Sequence, residues 1–248
     1  MPRSLNLIVL VFAILSSGCS TTLQIESAPL YTPATASLQE EQPERFWWQY
    51  RFKIQWPEEE SPNFSSHSLI AHQVIAPALI EYQDDIGLWR FHRRAGRDDA
   101  GHQFSLIFYA DKESANAVAA FMNENSLTTW LQSRGLIEAT RFTRRTEAEL
   151  ALLEDTSDQA WPLEVQRSWP YFIMGVSQTW LFMVQELSAK APLSDEVDYS
   201  ALLAHYESVD AQLTVQWREF GQHAYLHHLN AVFGYEPLKL RSTELRSF

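Results

Sequence analysis

Near the C-terminus, His223 and His227 stand four residues apart. On a helix that spacing turns both imidazoles towards one side. Helical zinc sites use this interval with a glutamate beside the first histidine as general base, but Ala224 fills that place here. His102, His205 or a carboxylate would have to supply the third ligand, and no spacing fixes one. We therefore assign no metal and no other cofactor. His223, His227, His228 and Asn230 are read as polar binding groups lining a groove at a helix end, with His227 facing inward on the stripe of Phe220 and His223. A catalytic alternative gathers Arg93, His102 and His227 in one cleft, with a histidine placed to move a proton, as in a lyase or hydrolase. Other catalytic patterns are missing. No Gly-rich phosphate loop occurs, and Gly175-Val176-Ser177-Gln178-Thr179 departs from Gly-x-Ser-x-Gly at its last position. Among 31 carboxylates, the pairs Asp84-Asp85 and Asp98-Asp99 read as solvated loop charges.

Cys19 is the single cysteine of 248 residues, so no intramolecular disulfide can form. Arg3 precedes a run, Leu5 to Leu15, that is apolar except at Asn6, and Ser16-Ser17-Gly18 leads into the cysteine. A basic start, a short apolar core and small residues before a cut site make a secretion signal, and the run falls short of the about 20 residues needed to span a bilayer. The segment resembles the lipobox of bacterial lipoproteins, departing from it at Ser16, where that motif prefers Leu. The resemblance implies cleavage after Gly18, acylation of Cys19 and attachment to a membrane through the N-terminal lipid. Ser20 replaces the Asp that often retains such proteins in the inner membrane, so the implied address is the periplasmic face of the outer membrane.

Cleavage would leave about 230 residues, enough for a sizeable core, and 46% of the chain is hydrophobic. A formal net charge of −12 argues against nucleic acid as a partner and against anionic head groups binding the protein body. Residues 1–18 are the expected signal peptide. Residues 19–44, rich in Thr, Ser, Ala, Pro, Gln and Glu, form a tether.

From 45 to 145 the pattern is strand, helix, strand, strand, helix, strand. Phe46, Trp48, Tyr50, Phe52, Ile54 and Trp56 alternate with polar residues and Trp47, the period of a strand with one buried side. A helix from Ser66 to about Tyr82 follows, bent at Pro77. Strands Leu88–Arg94 and His102–Ala110, a helix Lys112–Asn123, a helical turn Leu127–Ser133 with Gly135 as C-cap, and a strand Leu136–Thr143 complete the series. This order predicts an α+β, ferredoxin-like antiparallel sheet with helices on one face. Residues 146–248 read as a helical half sharing that core. Ser168 and Pro170 suggest a helix start, and Tyr171 to Leu187, with Trp180 and Phe182, is apolar nearly all round. Its Gly, Ser, Gln, Thr and Glu residues favour a central core helix over a membrane span. Asp195 is the expected cap of a long amphipathic helix with Tyr199, Leu202, Leu203, Tyr206, Val209, Leu213, Trp217 and Phe220 on one stripe, ending near Gly234.

Three segments, Trp89-Arg90-Phe91-His92-Arg93-Arg94, His102-Gln103-Phe104-Ser105-Leu106-Ile107-Phe108 and His227-His228-Leu229-Asn230-Ala231-Val232-Phe233-Gly234, are similar to parts of the small elimination-type domain of lantibiotic dehydratases and thiopeptide-biosynthesis proteins. They occur in the same order, over about residues 45 to 237. The family alternates arginines after the strand-opening His, and those would hold an anionic glutamate leaving group. Phe104 and Leu106 stand there instead, which removes the main electrostatic support for elimination. Glutamyl-tRNA chemistry also has no place outside the cytoplasm. The resemblance therefore implies a retained scaffold with a changed site. The expected function is that of a non-catalytic binding or accessory lipoprotein of the cell envelope, engaging another envelope protein or a small ligand through an exposed apolar patch.

Overall fold

The computed structural model describes residues 45–144, 152–193 and 198–238, all within one compact unit spanning 34–248. The signal, the tether, Cys19 and Asp195 lie outside the described residues.

The elements run β1 (Phe46–Ile54), α1 (Ser65–Ile70), a π-helical turn (Ala71–Ile75), α2 (Ala76–Glu81), β2 (Leu88–Ala95), β3 (His102–Ala110), α3 (Lys112–Glu124), α4 (Ser126–Ser133) and β4 (Ile137–Arg144). A 3-10 turn (Leu153–Thr156), α5 (Leu163–Ala189), α6 (Tyr199–Gly221), a second π-helical turn (Gln222–His227) and α7 (His228–Val232) follow. The strands make one antiparallel sheet in the order β2-β3-β1-β4. That is the ferredoxin-like α+β arrangement expected from the sequence.

Alternation on β1 places Tyr50, Phe52 and Ile54 opposite Leu106, Phe104 and His102 of β3, all buried. Leu69, Ile70 and Val74 of the α1–α2 segment are buried in the same core cluster. On the other face, the Trp47 indole N–H donates to the carbonyls of Leu152 and Leu153 at 3.3 and 3.2 Å, tying the chain beyond β4 to the sheet. Helix ends follow from local chemistry. The Asp111 carboxylate accepts from Ser114 N–H at the start of α3, and Asn125 accepts from Leu127 and Thr128 N–H at the start of α4, each capping orphan donors. Gly135 adopts φ +79° and closes α4, as a left-handed cap requires. Pro77 does not simply bend its helix. It offers no N–H to Gln73, and the ladder widens into a π turn just before it.

The helical half departs from expectation in three respects. Helix α5 begins at Leu163, with Pro162 at its N-cap and Pro170 buried inside it, so Ser168 and Pro170 do not start it. Nor is it enclosed on all sides. Leu181, Val184 and Leu187 are buried, Trp180 is half-buried, and Phe182 is 61% exposed. The buried face lies along the edge of β2, where the Ser177 hydroxyl accepts the Phe91 N–H at 3.1 Å and so covers an otherwise open strand edge. Helix α6 is capped by Asp198, whose side chain accepts from Ala201 N–H. Its stripe is buried at Leu202, Tyr206 and Val209 and then emerges, leaving Trp217 and Phe220 exposed. Among the described residues, no helix is long and apolar enough to cross a membrane.

Candidate functional site

Arg93 and His102 meet at one end of the sheet, where β2 and β3 pass beneath α1. The residue that joins them is His67, on α1. The Arg93 Nε–H donates to His67 Nδ1 at 3.1 Å, and its Nη2 donates to the Phe64 carbonyl at 3.2 Å. Asp210 of α6 lies 3.8 Å from the same guanidinium and accepts from the Ser68 hydroxyl. The rings of His67 and His102 are 4.7 Å apart, and His67 stacks on Phe104 at 4.8 Å. Phe64 and Trp180 lie under the guanidinium at 5.2 and 4.9 Å, close enough for cation–π attraction.

His67 and His102 are 0% and 1% exposed. Accepting from Arg93 leaves the His67 proton on Nε2, and neither that nitrogen nor either nitrogen of His102 has a hydrogen-bond partner. Burial pushes the His67 pKa well below its ordinary value, reinforced by the positive charge of Arg93 and by His102. Burial and Arg93 lower His102 in the same way. Both rings are therefore neutral and sealed among aromatics. With Arg93 and Asp210 they join α1, the sheet and α6.

His227 does not enter this cluster and does not face inward. It lies with His223, His228 and Asn230 on the exposed segment formed by the second π turn and α7. There the His223 and His227 rings stack at 5.3 Å, and His228 lies 5.4 Å from His227. Among the described residues, no three His, Cys, Asp or Glu side chains come together in a way that could hold a metal ion. Around the histidines the surface is apolar. Trp217 is 53%, Phe220 62% and Phe233 70% exposed, and Leu226 and Val232 are also open. Trp217 stacks on Tyr225 at 6.1 Å, and the Tyr225 hydroxyl reaches the Met183 sulfur of α5. The end of α6, the π turn and α7 thus form an aromatic arm held against α5.

A second polar network passes unnoticed in the sequence. Gln73 Nε2 donates to the Tyr206 hydroxyl at 2.7 Å, which lies 2.9 Å from His72 Nδ1. Ser188 Oγ is 2.8 Å from His205 Nε2, and the His205 ring meets Tyr206 edge to face at 4.9 Å. Burial lowers the pKa of His72 and His205 and raises that of Tyr206, so the network is uncharged at neutral pH. The nearest feature in the sequence is Pro77, which opens the helical ladder beside His72 and Gln73.

Phe104 and Leu106, the positions where the elimination-type resemblance would place arginines, are fully buried and serve as core. The comparisons with known proteins find no matching family model, no matching curated protein and no matching solved structure.

Proposed function

We propose that this chain is a lipid-anchored envelope protein whose α+β body is a non-catalytic binding module, docking a partner protein through the arm formed by the end of α6 and α7. The anchor reading rests on Cys19 and its preceding signal pattern. The binding reading rests on one observation, the exposed aromatics Trp217, Phe220 and Phe233 spaced along the arm. Monomers rarely leave a large contiguous apolar patch open, and aromatic residues dominate the energetic centres of protein interfaces. Histidines beside them supply polar rim contacts of the kind interfaces carry. Tethered by residues 19–44, such a body would meet its partner at the membrane surface on the periplasmic side of the outer membrane. An elimination-type or hydrolytic site is less well supported, because His102 is buried, Arg93 is engaged by His67 and Phe64, and His227 lies outside their cluster.

The test uses the acylated chain extracted from envelopes in mild detergent. Wild type should elute in a complex larger than its own detergent-bound monomer. The triple variant Trp217→Ser, Phe220→Ser, Phe233→Ser should elute as a monomer, with thermal stability held to within a few degrees because the three side chains are exposed. A monomeric wild type, or a complex that survives the triple substitution, would end this reading.

A further inference from the structure

A groove of about 360 Å³ runs between α2 and α5, on the flank where β2 begins. Leu79, Met174 and Leu181 supply aliphatic lining, and the exposed Ile80 and Phe182 stand at its margins. Gln83, Gln178 and Gln185 are its polar side chains, and no lining residue is ionisable. Along α5 the lining spans Met174 to Gln185, roughly 16 Å at the helical rise. Side-chain amides both donate and accept. An uncharged trough edged by them suits a short, extended, uncharged segment that keeps part of its backbone in water.

The chain itself brings such a segment to the groove. Ile86 and Trp89 line it on the side of the sheet, and Gly87, between them, lies against Arg45. A Cβ at Gly87 would stand 2.9 Å from a guanidinium nitrogen of Arg45. Residues 34–44 lead directly into Arg45 and belong to the same compact unit. Ala34, Ala36 and Leu38 alternate with Thr35, Ser37 and Gln39, the period of an extended segment with one apolar face. None of these six residues is charged, whereas Glu40, Glu41 and Glu44 follow them. A carboxylate would lose its hydration in the trough with no cation there to offset the loss. Leu38 stands seven residues before Arg45, a reach of roughly 23 Å when extended, which exceeds the length of the trough. Covalent linkage favours this segment over a free peptide or a second copy, because a short flexible linker holds it at an effective concentration in the millimolar range.

We infer that residues 34–39 dock in the α2–α5 groove as an extended strap, with Ala34, Ala36 and Leu38 turned to its aliphatic floor. Docking shortens the free tether to residues 19–33. The arm takes no part in this contact, which does not rest on the protein-docking proposal.

The test is disulfide trapping in the full chain recovered from cell envelopes. Ala36→Cys is paired with Gln178→Cys in the groove, and in a control with Arg141→Cys, exposed on β4 opposite Arg51 and within reach of the same tether. Ala36→Cys alone reports any pairing with Cys19. Under mild oxidation the 36–178 bond should form at least tenfold faster than the 36–141 bond. Leu38→Glu in the strap and Ile80→Glu at the exposed lip should each slow the 36–178 bond at least tenfold and leave the 36–141 rate unchanged. Equal rates for the two pairs, a 36–178 rate indifferent to both glutamate substitutions, or a 36–178 bond formed only between two chains would each overturn the assignment.

Discussion

Lowering the pH from 7.5 to 5.5 should destabilise the fold, and His102→Phe should remove the part of that loss due to His102. An unfolded histidine titrates near 6.5, whereas His67 and His102 are both held below their ordinary values by burial and by Arg93. Between the two pKa values the unfolded chain binds more protons than the folded one, so stability is intact above about 6.5 and falls as the pH drops. At pH 5.5 an unfolded imidazole is about tenfold protonated, worth about 1.4 kcal/mol for each ring that stays neutral in the fold. For the pair the ceiling is about 2.7 kcal/mol, a shift of the urea midpoint of at most about 1 M at typical slopes. His102 is the cleaner site to change, because neither of its nitrogens has a partner and a phenyl ring can still pack against Trp56 and Phe64, which it now meets edge to face at 5.9 and 5.4 Å. Urea unfolding of wild type and His102→Phe at both pH values isolates the term from the carboxylates, which the two proteins share. The variant should lose less stability than wild type on acidification, by at most about 1.4 kcal/mol, and be no less stable at pH 7.5. An identical pH response in the two proteins would refute the assignment of His102 as a neutral, sealed imidazole.

Cys19→Ser should abolish lipid labelling and leave the precursor uncut after Gly18; normal labelling of that variant would remove the anchor. Trp180→Ala should cost about 2–3 kcal/mol in thermal or urea unfolding, since the ring packs on Phe91, Phe104 and Arg93, whereas Phe182→Ala should stay within about 0.5 kcal/mol; equal costs would contradict their placement on opposite sides of α5. Ser177→Ala should cost about 1 kcal/mol by uncovering the Phe91 N–H, with faster amide exchange at Phe91 as the local readout, and unchanged exchange would show that another acceptor covers that edge.

The sheet was legible because β1 alternates and the other strands are short apolar runs bounded by turn residues. His102–Ala110 is delimited in sequence as in structure, since Phe104, Leu106 and Phe108 mark one face. Helix α5 was harder to read because apolar residues serve two purposes there. Leu181, Val184 and Leu187 meet the body, while Phe172, Val176 and Phe182 remain exposed, and hydrophobicity alone does not separate them. Ser168-x-Pro170 imitates a helix start, but Leu163 to Arg167 already form a turn ahead of it. Extending a 3.6-residue period from Phe220 turns His227 inward. Phe220 has already left the body, and the π turn at Gln222–His227 breaks that period. His67 carries no sequence signal at all. It stands among Ser65, Ser66 and Ser68, all buried with it, and only the tertiary contact with β2 and β3 makes it the partner of Arg93 and His102.

The central claim is that the arm of α6 and α7 is covered by another protein at the membrane. A photo-crosslinking p-benzoylphenylalanine at position 220 or 233 of the acylated chain, irradiated in intact cells, tests this directly. Position 141, exposed on β4, serves as the control. The account predicts a discrete adduct with a different protein from both arm positions and none from position 141. Adducts no stronger than the control, or only adducts of twice the chain's own mass, would contradict it.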